Sequence, residues 1–302
     1  MTRPEGATDV YMKAKRSGFA IIGRFSAWPW GQYPDEAYLA DALESSGIKV
    51  FRVPLETISD ALMQAEWAIF TGYPTSVSRL ELWRKTHKTA LWTLDWVPDR
   101  DSHREIIDAA KKATLFISSD QFDWKSLDVR AHRYLPGACE SVSVPFVPNP
   151  TIPCAFMGLV YNDRRRSIVK IVKRLGGVVL DSPGSWLYGE KLSRFVQTVK
   201  VVVGDNFRND VQGYWSSRNY IIPGAGGFLL TPRVPGLELQ FALNGEIAVY
   251  DSPDELEGNL ASWIGEDEAR EGVRCAGYLK TRSEHHWLAR AKTLISHLAA
   301  YS

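Results

Sequence analysis

The feature that most constrains this chain is an alternation. Short apolar runs, each closed by turn or polar residues and followed by a helical stretch, recur along its length. Phe19–Gly23, Trp67–Thr71 and Leu115–Ser118 are apolar up to a closing small or polar residue, and segments 50–53 and 90–94 are further strand candidates. Strands buried on both faces read as continuous apolar runs, the mark of a parallel sheet covered by crossover helices. The helix after the first run spans 35–46 and is stopped by Gly47. Between 144 and 153 the chain carries Pro145, Pro148, Pro150 and Pro153, too many for a helix or a central strand. Beyond that break the alternation restarts at 155–158, 178–181, 201–204, 228–231 and 247–250. Ser252-Pro253-Asp254-Glu255 has the form of a helix start, with a Ser cap, Pro in the first turn and Glu three residues on. The expected architecture is α/β. Two doubly wound, Rossmann-like domains, 1–150 and 151–302, face a shared cleft, and the last helix (284–299) is free to pack back on the first.

Composition removes several classes. Lys and Arg (36) nearly cancel Asp and Glu (35), which excludes a globally basic nucleic-acid coat protein but not a local basic patch. The three cysteines (Cys139, Cys154 and Cys275) are widely spaced and form no C-x-x-C, so neither a disulfide framework nor a cysteine-rich zinc site is expected. No apolar run is long enough to cross a bilayer, and the charged first residues lack the centre of a signal peptide, which points to the cytoplasm. Eleven tryptophans exceed what such a length usually carries. They suit a core, or stacking on sugars and bases.

In doubly wound sheets ligands sit at the carboxyl ends of the strands. The densest group of such residues is Gly213-Tyr214-Trp215-Ser216-Ser217-Arg218, followed by Gly224-Ala225-Gly226-Gly227 and Pro235-Gly236-Leu237-Glu238. Ser216 or Ser217 can cap a short helix whose amides attract an anion, and Arg218 adds a planar fork suited to phosphate oxygens. A plain Gly-rich turn with a surface Arg fits the same spacing. It is not a dinucleotide fingerprint, because the glycines precede a strand. Arg164, Lys200 and Arg218 fall near predicted strand ends or a helix start and can converge on one anion, although Lys200 reads equally as a solvated strand-edge charge. Asp95 follows a strand and can orient a hydroxyl or accept its proton, or simply form a turn. Trp28, Trp30 and Tyr33 form an aromatic loop after the first strand, fit for stacking on a ring or for packing beneath the first helix. Arg166, Lys170, Lys173 and Arg174 share one helical face, a solvated surface or a stripe along a phosphate backbone. The six histidines form no metal pattern, and no D-x-D metal signature follows a strand. His285 reads as a packing or structural residue.

With these residues in view, the segment 213–290 resembles the C-terminal domain of the CgeB-like (spore-maturation-type) group 1 glycosyltransferases. The resemblance rests on Tyr-Trp-Ser-x-Arg-x-Tyr, Gly-Ala-Gly-Gly-Phe-Leu-Leu-Thr, Pro-Gly-Leu-Glu, the Asp254-Glu255-Leu256 helix start, and Glu284, His285, Trp287 and Arg290. Phe156-Met157-Gly158 with Arg164 and Arg165 is similar to the first strand and loop of that domain. The resemblance implies a GT-B fold and a nucleotide-sugar donor as co-substrate, with no cofactor and no metal. It implies retention of the anomeric configuration, the leaving diphosphate itself helping to deprotonate the incoming hydroxyl. Arg218, Arg164, Lys200 and Asp95 take catalytic positions. Gly158, Ser217, Gly226, Gly227, Gly236, Leu237 and Glu238 take donor positions, and Trp28, Trp30 and Tyr33 lie on the acceptor side. One departure matters: Ile221 stands where many relatives carry a donor-holding Glu, which favours, as a rival, a sugar- or nucleotide-binding protein without catalysis. The acceptor is either a carbohydrate or other small hydroxylated molecule, or a hydroxymethylated base in viral DNA met by the basic stripe.

Overall fold

The computed structural model describes residues 18–27, 34–55, 64–71, 74–95, 104–140, 145–146, 149–185 and 187–301. The chain divides into two compact units. Unit 1 comprises 1–27, 33–137 and 287–302, and unit 2 comprises 28–32 and 138–286. The division falls at 137, short of the proline-rich segment, for a local reason. Cys139 donates its amide to the His285 carbonyl at 2.8 Å and bridges to His286, so the chain after Gly137 is already paired within unit 2.

Unit 1 contains β1 (Phe19–Gly23), β2 (Val50–Pro54), β3 (Trp67–Thr71), β4 (Lys88–Thr93), β5 (Leu115–Ser118) and β6 (His132–Tyr134). Its helices are α1 (Asp35–Ser45), α2 (Pro74–Trp83), α3 (Arg104–Lys112) and α9 (Trp287–Ala299), the last returning from the end of the chain. The strands pair in parallel in the order β2-β1-β3-β4-β5-β6. One face of the sheet is closed by Phe70, Leu91, Ile106, Phe116 and Trp124. On α9, Trp287 stacks on Tyr38 of α1 at 6.1 Å and meets Trp92 of β4 edge-on, while Arg290 donates to the Gly137 carbonyl. Trp67, Trp83, Trp92, Trp124, Trp215 and Trp287 are all buried, so much of the tryptophan excess is core.

Unit 2 contains β7 (Ile152–Met157), β8 (Val178–Leu180), β9 (Val199–Val203), β10 (Leu229–Pro232) and β11 (Ala248–Tyr250). Its helices are α4 (Asp163–Arg174), α5 (Gly189–Thr198), α6 (Arg218–Gly224), α7 (Pro253–Gly265) and α8 (Asp267–Glu284). The order is β11-β10-β9-β7-β8, again parallel. Val202, Tyr220, Leu237 and Phe241 pack on one face; Phe156, Val172, Val201, Phe228 and Leu260 pack on the other. The Ser252 side chain caps α7 by accepting the Glu255 amide.

Both sheets are doubly wound, and each has one place where the chain reverses its direction of travel across the sheet. In unit 1 the chain moves from β1 outward to β2 and then to β3 on the other side of β1. In unit 2 it moves from β7 to β8 and then to β9 on the other side of β7. Loops diverge at such points and leave a crevice at the carboxyl ends of the two inner strands. Phe156 pairs with Val203, so Gly158 and Asp205 emerge side by side in unit 2. Ile22 pairs with Phe70, so Gly23 and Thr71 do the same in unit 1. Among the described residues no helix is long and apolar enough to cross a membrane.

Candidate functional site: an arginine cluster at the reversal point of unit 2

The site grows from the turn after β7. Gly158 has φ +149°, and a Cβ built on it would stand 3.0 Å from Arg218 Nη2 and 3.4 Å from its Cζ. Only glycine allows the Arg218 guanidinium to lie flat against this backbone. Asn162 then caps α4, its Oδ1 accepting the Arg165 amide at 2.9 Å, which places Arg164 and Arg165 in the first turn.

Asp205, just beyond β9, holds both of them. Arg165 Nε meets Asp205 Oδ2 at 2.8 Å, and Arg164 Nε meets Oδ1 at 2.9 Å. The carboxylate is fully buried, and Arg164 also donates to the Asn206 carbonyl. Arg165 donates further to the Leu159 carbonyl and lies under the half-exposed Tyr161 ring at 4.3 Å. One carboxylate is thus shared by two guanidinium groups, and a third guanidinium stands beside them. Arg218 hydrogen-bonds to Ser216 Oγ at 3.0 Å and, among the described residues, has no carboxylate partner. Burial pulls its pKa down from the ordinary arginine value, and the charge of Arg165 adds to the effect. A part-buried cation next to a second cation is unfavourable alone and favourable with an anion between them. The Ser216 amide is fixed toward Asn206 Oδ1 at 2.8 Å, which sets the loop that carries Arg218.

The structure brings Gly158, Arg164 and Arg218 together and distributes the other sequence-expected residues elsewhere. Lys200 is one residue into β9, at the amino end of the sheet, where it pairs with Asp267 at 3.1 Å and donates to the Ile264 carbonyl. It does not converge with the arginines, because a strand's first residues lie at the opposite edge from its last. Ser217 precedes α6 without a side-chain cap bond; Ser216 Oγ accepts the Arg218 amide instead. Gly226 and Gly227 close the far end of α6, their amides bonded to Pro223 and Ile222, against Gln197 and Val196. They face the amino end of β10, so their task is the helix-to-strand turn. Leu237 is fully buried in the core. Gly236 has φ +91°, and the exposed Glu238 carboxylate folds back on its amide at 3.1 and 3.2 Å. Ile221 packs against the core.

On α4, Arg166 pairs with Asp163 at 2.5 Å and Arg174 pairs with Glu257, while Lys170 and Lys173 are exposed. Asp95 is exposed two residues past β4. Trp28, Trp30 and Tyr33 lie outside the described residues. His285 ends α8, packed on Tyr220 and Phe241 with Nε2 on the Gln240 carbonyl. Among the described residues no three His, Cys, Asp or Glu side chains gather as a metal-holding group. Arg165 had no separate role in the sequence reading. Its signal was the run Asp163-Arg164-Arg165-Arg166 at a helix start.

Residues 152–296 match the family model for glycosyl transferase-like proteins. No curated protein matches the chain significantly. Among solved structures, the fold is similar to HepE of Anabaena in complex with UDP and glucose. The TM-score is 0.61 at 9% identity, over 99% of this chain and 97% of that one. Sucrose-phosphate synthase of Thermosynechococcus elongatus is similar with a TM-score of 0.59 at 11% identity, over 91% of this chain and 97% of that one. The chain therefore has the GT-B fold of two Rossmann-like units, and its second unit is similar to the glycosyl transferase-like family.

Proposed function

We propose that the chain transfers a sugar from a nucleotide-sugar donor to a hydroxyl acceptor, and that Arg218 and Arg164 hold the donor's diphosphate. The observation that carries this reading is the part-buried Arg218 guanidinium, without a carboxylate partner among the described residues, lying against Gly158 at the reversal point of the glycosyl transferase-like domain. When the bond between the sugar's anomeric carbon and the phosphate oxygen breaks, negative charge grows on the diphosphate. Fixed guanidinium donors stabilise that charge without reorganising. Solved HepE structures containing UDP and UDP-glucose support a uridine diphosphate donor.

The transfer is retaining and metal-independent. The acceptor oxygen attacks the anomeric carbon on the face the phosphate leaves, and the departing phosphate oxygen takes the hydroxyl proton. Arginine replaces a divalent cation in balancing the charge. The Tyr-Trp-Ser-x-Arg-x-Tyr run at Tyr214–Tyr220 supports the CgeB-like subgroup. The acceptor is a carbohydrate or another small hydroxylated molecule. Two of the four basic residues that would follow a DNA backbone are already in ion pairs, which weighs against hydroxymethylated DNA. The rival reading, binding without catalysis, is favoured by Ile221 and makes the opposite prediction.

Incubation with UDP-sugars and a panel of hydroxylated acceptors, including hydroxymethylated DNA, read by mass spectrometry, tests the proposal. Sugar transfer or donor hydrolysis should persist in EDTA and fall roughly 10²–10³-fold in Arg218→Ala. Binding of the donor without turnover would support the non-catalytic rival instead.

A further inference from the structure

A guanidinium near a buried carboxylate ordinarily folds onto it, and the charge of Asp205 does act on Arg218. Yet both oxygens of that carboxylate are already occupied. Asp205 Oδ2 accepts Arg165 Nε at 2.8 Å and Arg164 Nη2 at 3.1 Å. Oδ1 meets Arg164 Nε at 2.9 Å and accepts Asn209 Nδ2 at 3.4 Å. A carboxylate oxygen has two acceptor directions, so these four contacts leave none for a third guanidinium.

One buried residue ties this arrangement to the loop that carries Arg218. Asn206, 1% exposed, uses three of its groups at once. Its carbonyl accepts Arg164 Nη2, its Nδ2 donates to Asn209 Oδ1 at 3.1 Å, and its Oδ1 accepts the Ser216 amide at 2.8 Å. Ser216 Oγ in turn accepts Arg218 Nη1 at 3.0 Å and the Arg218 amide at 3.3 Å. The path from Asp205 to Arg218 thus runs through Asn209, Asn206 and Ser216, each step a hydrogen bond. A side-chain amide suits the middle of that path because it both donates and accepts without carrying charge. A carboxylate at 206 would accept only, and would add a second negative charge beside the arginines.

We infer that Asn206 is a positioning residue for Arg218. With Asn209 it keeps Asp205 engaged elsewhere, and through Ser216 it holds the Arg218 guanidinium against Gly158, so that the charge is presented to an anion instead of to Asp205. Identifying that anion as a nucleoside diphosphate rests on the glycosyl-transfer reading; the positioning does not. An arginine left unheld keeps its rotamer freedom and surrenders it on binding, so fixing the side chain beforehand tightens the complex. Asn206 acts only through Arg218 and touches no ligand itself.

The test uses the full chain and two readouts. The first needs no ligand: nitrogen-15 relaxation of the Arg218 Nε, its signal assigned by its absence from Arg218→Lys. The wild type should show a rigid side chain and Asn206→Ala a mobile one. The second is a double-mutant cycle on UDP affinity, read by calorimetry. Asn206→Ala should weaken binding roughly tenfold, and the same change in an Arg218→Ala background should cost less than about twofold. A merely structural Asn206 would weaken binding by the same factor in both backgrounds. If Asn206→Ala does not fold, Asn209→Ala, at a half-buried position, decides by the same two readouts. Arg218 as rigid in the variant as in the wild type, or equal losses in the two backgrounds, overturns the inference. Absence of UDP binding by the wild type strikes the proposed function, and the mobility of Arg218 then decides the positioning by itself.

Discussion

The two reversal points occupy the same topological position and are built with opposite electrostatics. In unit 2 the carboxylate there, Asp205, is overmatched by Arg164 and Arg165, and Arg218 beside them makes no carboxylate ion pair among the described residues. In unit 1 the carboxylate there, Glu36, has a threonine hydroxyl and a backbone amide and one oxygen left over. Among the described residues, guanidinium groups outnumber the carboxylate at one reversal point, and at the other a buried carboxylate keeps an oxygen without a hydrogen-bond partner. The doubly wound sheet supplies a place for a ligand, while the side chains at the strand ends decide its charge.

The sharpest way to break this comparison is to neutralise both carboxylates. Asp205→Asn leaves two guanidinium groups without their buried partner and should destabilise the protein by about 3–5 kcal/mol in chemical denaturation. Glu36→Gln should move stability the other way. Two changes of the same sign would show that the carboxylates do the same job. A smaller effect is expected at Gly158→Ala. The added Cβ meets Arg218 Nη2 at 3.0 Å in a backbone region that disfavours side chains, so about 1–3 kcal/mol of stability should go. UDP affinity should fall with it; a variant that melts lower yet binds UDP as before would detach Gly158 from the site.

Acid should act mainly on unit 1. Burial holds His132 down to about 4, helped by the charges of Arg133 and His297, and burial also lowers His297. Below the ordinary histidine value the unfolded chain takes up protons that the folded chain refuses. The stability these two residues contribute is therefore present above about pH 6.5 and lost as pH falls toward 4. Melting curves of His132→Asn should show a flatter fall over that window than the wild type, and an identical slope would remove His132 as a cause. Glu36 and Asp120, shifted upward, work with the opposite sign: their contribution is present at low pH and lost as pH rises through their raised values. The smallest effect belongs to the exposed face of α4. Lys170→Ala with Lys173→Ala should leave UDP affinity within about twofold, since exposed charges contribute little. A larger loss would extend the anion site beyond Arg218.

Much of the fold is legible in the sequence because buried parallel strands write themselves as apolar runs. β1, β3 and β5 coincide with the runs that mark them. β6 is an edge strand of His-Arg-Tyr with no apolar signature, and α8 lies between two helices with clearer apolar faces. At the site, Gly158, Arg164 and Arg218 are legible as residues that follow strands or open helices. Gly226 and Gly227 mislead because a glycine pair closing a helix looks in sequence like one cradling a phosphate. Glu36 is illegible for a different reason. Pro-Asp-Glu at a helix start signals an exposed first turn, and only the crossing of β1 and β3 over it makes this carboxylate buried.

The central claim is that Arg218 is the cation awaiting a diphosphate. Calorimetric titration of wild type and Arg218→Ala with UDP, dTDP, GDP and ADP tests it directly. At least one nucleotide should bind the wild type, and Arg218→Ala should weaken that binding roughly 10- to 100-fold with the melting temperature preserved. Equal affinity in the two proteins, or no binding of any nucleoside diphosphate by the wild type, would contradict the account.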